Sequence, residues 1–220
     1  INDLIKLVEK IIECNEYLLK YWQDKGSETK KIIENLLNGK ANVIIKPNGG
    51  IDVHSKYITL EVHRTNTGVI IHLMLRDTRG MTIEVPNVFI EIMSKKEYKK
   101  FVKKLLRALR AGFDETDGIV IKGKAAIGTT QTWQVILWLI LNFGKVRLNM
   151  NEININENDI SITWHLRSSR RLRKGMFLRN AKKLNDESLL SFMFTAVLGD
   201  GSALIENNKG AAIKITMSPK

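Results

Sequence analysis

Two aspartates are the residues best suited to do chemistry in this chain. Asp117 and Asp200 each follow an apolar, helix-like run and each precede a glycine, in Leu105–Gly118 and Leu189–Gly201. A strand-like stretch comes next in both copies, Ala125-Ala126-Ile127 with Thr130, and Ala211-Ala212-Ile213 with Thr216. Self-similarity over about eighty residues marks a duplicated structural unit rather than a turn or a heptad. One and five positions before each aspartate the residues are small: Thr116 and Gly112, then Gly199 and Thr195. Residues four apart share a helix face, and small residues on that face let two helices meet backbone to backbone. The spacing predicts two helices in close contact, Asp117 and Asp200 at the same end, and Gly118 and Gly201 as the terminating residues.

A carboxylate at a helix C-terminus is badly placed, because that end already carries about half a negative charge, and two side by side repel each other. A divalent cation relieves both penalties, and hard oxygen ligands suit Mg²⁺. Paired carboxylates around such a metal activate water against a phosphodiester. The plainer reading is that Asp-Gly is a common turn dipeptide and that small residues occur in any helix. Two copies that share the small-residue spacing, the terminal Asp-Gly and the following strand favour the metal site.

The elements that must position these residues follow from periodicity. Leu4–Trp22 reads as an amphipathic helix and Ser27–Asn38 as a second, capped by Ser27 and followed by Gly39. The period then becomes two. Ile58, Leu60 and Val62, then Val69, Ile71, Leu73 and Leu75, then Met81, Ile83 and Val85 give one apolar face of an antiparallel meander, turned at Thr65–Gly68 and Asp77–Gly80. His63 and His72 fall on the other face, where no cysteine accompanies them and their spacing matches no metal-ligand pattern; a half-solvated sheet face is the reading adopted.

Beyond Pro86-Asn87 comes a lysine-rich helix with the apolar face Tyr98, Phe101, Val102, Leu105 and Leu109. A short hairpin around Lys122-Gly123-Lys124 follows. Next is the apolar helix Trp133–Leu141, capped by Thr129 or Thr130 and ended by Gly144, then a hairpin from Val146–Met150 to Ile160–Trp164 turning at 156–159, and a basic helix at 176–184. The fold class expected is α+β: an N-terminal α+β module at 1–93, a unit of αββαββ order at 94–185, and the start of a second unit at 186–220.

These residues resemble the LAGLIDADG homing endonucleases. Arg110–Gly118 is similar to the signature nonapeptide, with Ala111 and Gly112 at its second and third places, Glu115 at the first acid and Asp117 at the second. Met193–Gly201 fits more loosely, keeping Asp200 and Gly201 but carrying Leu198 at the first acid and Phe194 and Thr195 in place of Ala and Gly. Thr129-Thr130-Gln131 and the run ending Asn142-Phe143-Gly144 look like the second helix and its exit. The resemblance implies that the signature helices form the interface between two αββαββα units, that the terminal acids bind catalytic Mg²⁺, and that the sheets saddle the DNA major groove. After Gly201 the chain shown has room for one hairpin. The second unit is therefore expected to be completed by further sequence, to be degenerate, or to be supplied by a partner in a homodimer.

Charge fits a nucleic-acid partner. The 35 Lys and Arg exceed the 23 acids for a formal net charge of +12, which favours attraction to phosphate. Lys122, Lys124, Arg147, Arg167, Arg170, Arg171, Arg173, Lys174, Lys209 and Lys214 are the candidate contacts to double-stranded DNA. The lysines at 95–104 read as a solvated helix face. Trp133–Leu141 is far shorter than the ~20 residues a bilayer requires, so no membrane partner is expected. The single cysteine, Cys14, and the absence of a secretory leader predict a reducing, cytoplasmic setting. Two functions are expected: a Mg²⁺-dependent DNA endonuclease using Asp117 and Asp200, or a nucleic-acid-binding protein on the same scaffold that does not cut.

Overall fold

The computed structural model describes residues 2–66, 68–76, 80–156, 159–175, 177, 179, 184–206 and 210–215, with backbone alone for 151, 200–206 and 210–215. Helix α1 (Asn2–Asp24) outruns the expected Leu4–Trp22 at both ends and buries the stripe Leu7, Ile11, Cys14, Leu18 and Trp22. Helix α2 (Gly26–Leu37) follows after Lys25 alone. Lys25 is itself helical (φ −97°, ψ −1°) and no side chain caps the start. So short a link leaves no extended residue for a cap, and Ser27 does not serve as one. Thr29 Oγ1 bonds back to the Lys25 carbonyl at 3.2 Å.

Strands β1 (Val43–Ile45) and β2 (Ile51–His54), which the alternation did not predict, precede β3 (Ile58–Thr65), β4 (Gly68–Leu75) and β5 (Met81–Val85). β3 and β4 pair as expected, Leu60 opposite Leu73. β5 does not continue the meander but pairs with β8 (Gly144–Ile155), Ile83 opposite Val146. The turn at 77–79 lies outside the described residues, as do Thr67 and most of the basic helix expected at 176–184.

The short helix α3 (Phe89–Ile92) ends at the extended Met93, and a helical run then extends from α4 (Lys95–Phe101) through a π-helical segment at Val102–Leu106 into α5 (Arg107–Glu115). α4 starts on a reciprocal capping box between Ser94 and Glu97. The wider π turn shifts the helix phase, so Leu106 is fully buried where helical spacing from Phe101 points to Leu105. Next come β6 (Gly118–Ile121), β7 (Lys124–Thr129), α6 (Thr132–Leu141), β8, β9 (Ile160–Arg171), α7 (Asp186–Asp200), β10 (Gly201–Glu206) and β11 (Gly210–Ile215). The residue before α6 is Gln131, without a side-chain cap; Thr129 Oγ1 instead accepts from the Gln131 N–H at 3.0 Å. Gly144 ends the exit turn at φ 96°, a conformation open to glycine at little cost.

The molecule is α+β. Nine strands form one antiparallel sheet in the order β1-β2-β3-β4-β8-β9-β7-β6 with β5 on β8, and β10–β11 is a separate hairpin. The sheet runs without a break from the N-terminal segment into the central one, because β4 joins β8 with Leu73 opposite Ile153. One core fills the space between the sheet and α1, α5 and α6, built on Leu7, Leu106, Phe113, Trp138, Leu148 and Leu166. A second, around Trp22, Ile32, Ile58, Leu60, Leu73 and Leu75, sits beneath α2. The Trp22 indole N–H donates to the Met150 carbonyl at 2.6 Å and ties the two together.

Candidate functional site

Helices α5 and α7 pack directly on each other, and small residues meet across the seam in equivalent pairs. A Cβ on Gly112 would overlap Thr195 Oγ1 and sit 2.5 Å from the Phe192 carbonyl oxygen and 2.7 Å from the Ala196 nitrogen. A Cβ on Gly199 would overlap Thr116 Oγ1 and lie 3.0 Å from Thr116 Cβ. Gly112 and Thr195 each stand five before their aspartate, and Thr116 and Gly199 one before. Like positions therefore face each other, a glycine opposite a threonine both times. Thr195 is fully buried, and its hydroxyl donates to the Leu109 carbonyl of the facing helix at 2.7 Å. Ala108, Ala111, Phe192 and Ala196 complete the seam.

This contact fixes the acid end. The same Cβ on Gly199 would stand 3.5 Å from Asp117 Oδ2, so the Asp117 carboxylate lies against the residue before Asp200. α7 ends at Asp200, whose side chain is outside the description. Asp117 sits in the two-residue link between α5 and β6, and Gln134 Nε2 donates to its Oδ2 at 2.7 Å. The same amide nitrogen lies 3.3 Å from the Leu198 carbonyl of α7, while the Thr129 hydroxyl bonds Gln134 Oε1. Gln134 is buried, and it links Asp117, α6 and the last turn of α7. It is not among the residues the motif singles out; its signal in the sequence is that of a lone polar residue inside the apolar run Trp133–Leu141.

Two expectations at this end need correction. Gly118 is not a left-handed helix terminator; it opens β6, and glycine is required because a Cβ would come 2.6 Å from Asp114 Cα and 2.8 Å from the Phe113 carbonyl oxygen. The Ala-Ala-Ile repeat is also out of step. Ile127 pairs with Gly118, whereas Gly201 pairs with Ile215 and Ile213 with Ala203. The second hairpin is longer, so the structural match of Ile127 is Ile215. Glu115, at the place of the motif's first acid, accepts the Gly175 N–H on both oxygens at 2.7 and 2.9 Å. Among the described residues no group of three or more His, Cys, Asp or Glu side chains is set to hold a metal.

Several predicted phosphate contacts converge on the sheet. Lys124 stands directly opposite Arg171, and Arg147 opposite Arg167. Like charges in directly opposed positions destabilise a sheet, and an anion over that face reverses the sign. Lys122 (φ 51°) and Gly123 (φ 72°) form the hairpin tip, and Lys122, Arg147, Asn149, His165 and Arg167 line a depression of about 220 Å³. Further along the same face His72 Nδ1 is 3.0 Å and His165 Nε2 3.6 Å from Glu152. The nearby imidazoles of His165 and His72 hold the Glu152 carboxyl below the usual carboxylate range against its partial burial.

Arg170 is placed differently from its neighbours. Its guanidinium donates to both Asp114 oxygens at 2.8 and 2.9 Å and its Nε to Asn142 Oδ1 at 2.9 Å. It is an internal counter-ion for a carboxylate only 3 % exposed. Burial pushes the Asp114 carboxyl up, and Arg170 pulls it back. Arg173 and Lys174 follow β9 rather than lying on it. Lys214 is in β11 with its side chain outside the description, and Lys209 is outside the described residues altogether. No protein-family model matches the chain, and no curated protein or solved structure is significantly similar to it. Among the described residues no helix is long and apolar enough to cross a membrane.

Proposed function

We propose that this chain is a DNA-binding protein on a LAGLIDADG-like scaffold, with Asp117 and Asp200 as the residues for Mg²⁺-dependent hydrolysis of a phosphodiester in double-stranded DNA. The observation that carries the reading is the reciprocal glycine–threonine seam, which brings the ends of α5 and α7 together beside the Asp117 carboxylate. The αββαββ order of α5 through β9, followed by a second helix and hairpin, is what that scaffold requires. The donor set fits the metal, since Asp117 offers hard carboxylate oxygens at a helix end.

Asp117 and Asp200 would hold Mg²⁺, which when bound supplies Lewis acidity for phosphodiester hydrolysis. Gln134 fixes the Asp117 carboxylate through Oδ2. The opposed cations Lys124 and Arg171, Arg147 and Arg167 hold the duplex backbone across the sheet face. Leu189, Leu190 and Phe194 remain exposed on α7 at 38 %, 67 % and 58 %; this is the apolar surface that a completed second unit, or a second copy in a homodimer, would cover.

Plasmid DNA incubated with the protein and Mg²⁺ tests the reading: nicking that Asp117→Asn abolishes is the expected result. The second reading keeps the cation face without the chemistry. It is favoured by the opposed cation pairs, which need no metal, and it is the outcome if DNA is retained equally with and without Mg²⁺ and never cut.

A further inference from the structure

A cavity of about 350 Å³ lies along α5, between α5, the end of β9 and Phe177. Arg110 and Arg170 line it, both half-buried, together with the exposed Arg107, Arg171 and Arg173. Two acids also reach it, and both are already engaged. Asp114 receives Arg170 on its two oxygens, and Glu115 receives the Gly175 N–H on its two. Five arginines therefore face two carboxylates, and the lining keeps an excess of positive charge. Arg110 has its Nε on the Leu141 carbonyl at 2.5 Å and its guanidinium 5.0 Å from the Phe143 ring centroid. Burial first, and then the neighbouring Arg170, push Arg110 down to about 10. Among the described residues no acceptor holds the guanidinium groups of Arg107, Arg171 and Arg173. A pocket with this excess of positive charge is repulsive when empty and attractive to a multiply charged anion. Guanidinium forks match phosphate oxygens in pairs. The Phe177 ring, stacked on Phe192 at 5.2 Å, closes an apolar side of the cavity.

We infer that this arginine-lined cavity is a binding site for a phosphate group, held by Arg107, Arg171 and Arg173 at its mouth with Arg110 and Arg170 beneath. The phosphate comes either from a nucleic-acid backbone running off the sheet past Arg171 or from a free phosphorylated compound. The site is independent of Asp117 and of cleavage, so its test does not depend on the endonuclease reading.

The probes are pyrophosphate and a short random-sequence duplex, each titrated into the full chain by calorimetry. The variants are Arg107→Ala/Arg173→Ala, which removes two mouth cations without touching the Asp114 ion pair, and Lys99→Ala/Lys103→Ala, which removes the same charge from an exposed stretch of the preceding helix. Saturable pyrophosphate binding that weakens about tenfold or more in the arginine pair and not in the lysine pair is expected, each lost charge-assisted contact being worth about a factor of ten. If the arginine pair also loses more duplex affinity than the lysine pair, the phosphate belongs to nucleic acid. If duplex affinity falls equally in both pairs while pyrophosphate binding is lost only in the arginine pair, the ligand is a free phosphorylated compound. The absence of pyrophosphate binding, or its equal loss in both pairs, together with equal losses of duplex affinity, would overturn the proposal.

Discussion

Adjacent arginines on β9 have opposite jobs. Arg170 neutralises Asp114 inside the molecule, while Arg171 faces Lys124 on the sheet surface. Arg170→Ala leaves a buried carboxylate without its partner and should cost about 3–5 kcal/mol, read as a lower urea midpoint. Arg171→Ala should change stability by no more than about 0.5 kcal/mol. It should also flatten the salt dependence of duplex binding by about 0.9 in log–log slope if Arg171 contacts a phosphate. Sequence reading could not separate the two, because a run of basic residues does not reveal which member finds a buried acid 56 positions away. Nothing in the neighbours of Asp114 along the chain marks it as internal.

Glu152 gives a pH dependence whose sign follows from its shift. Its folded pKa lies below the ordinary 4.5, so its contribution to stability is complete above that value and is lost as pH falls through the folded one. Glu152→Gln should therefore flatten the acid limb of the stability curve below about pH 4.5. Burial pushes the Cys14 thiol up to about 11. Iodoacetamide at pH 8 should leave it unmodified in the folded protein and alkylate it in urea.

At the scale of elements, the seam between α5 and α7 was legible because small residues at fixed spacing need only helix geometry to be interpreted. Gly112→Ala sets a helix-propensity gain of about 1 kcal/mol against overpacking of about 1–3 kcal/mol. The Phe192 carbonyl and Ala196 nitrogen are backbone atoms that cannot swing aside, so the clash should win and the melting temperature should fall. Gly199→Ala meets mainly the Thr116 side chain, and Thr116→Ala in the same chain should restore part of the loss, a coupling visible in a double-mutant cycle. What escaped the pattern were features that depend on partners. The π segment at Val102–Leu106 moved the buried position by one residue, and the second hairpin took a longer register than its Ala-Ala-Ile suggested. Neither a helix phase slip nor a strand register can be read from local composition alone.

For the whole molecule, periodicity was enough to place most helices and the β3–β4 pairing but not the joining of the sheet. The link depends on β8, which takes β9 along one edge and β4 and β5 along the other. Residues 1–93 made alone should accordingly aggregate or remain unfolded, measured by solubility and circular dichroism, because β4 and β5 would present unsatisfied hydrogen-bonding edges. The same arrangement constrains the order of events on the ribosome. His72 finds Glu152 only after 80 further positions have been made. At ~5–20 residues per second the nascent β4 edge is bare for roughly 4–16 s, an interval in which a holding chaperone would have its substrate.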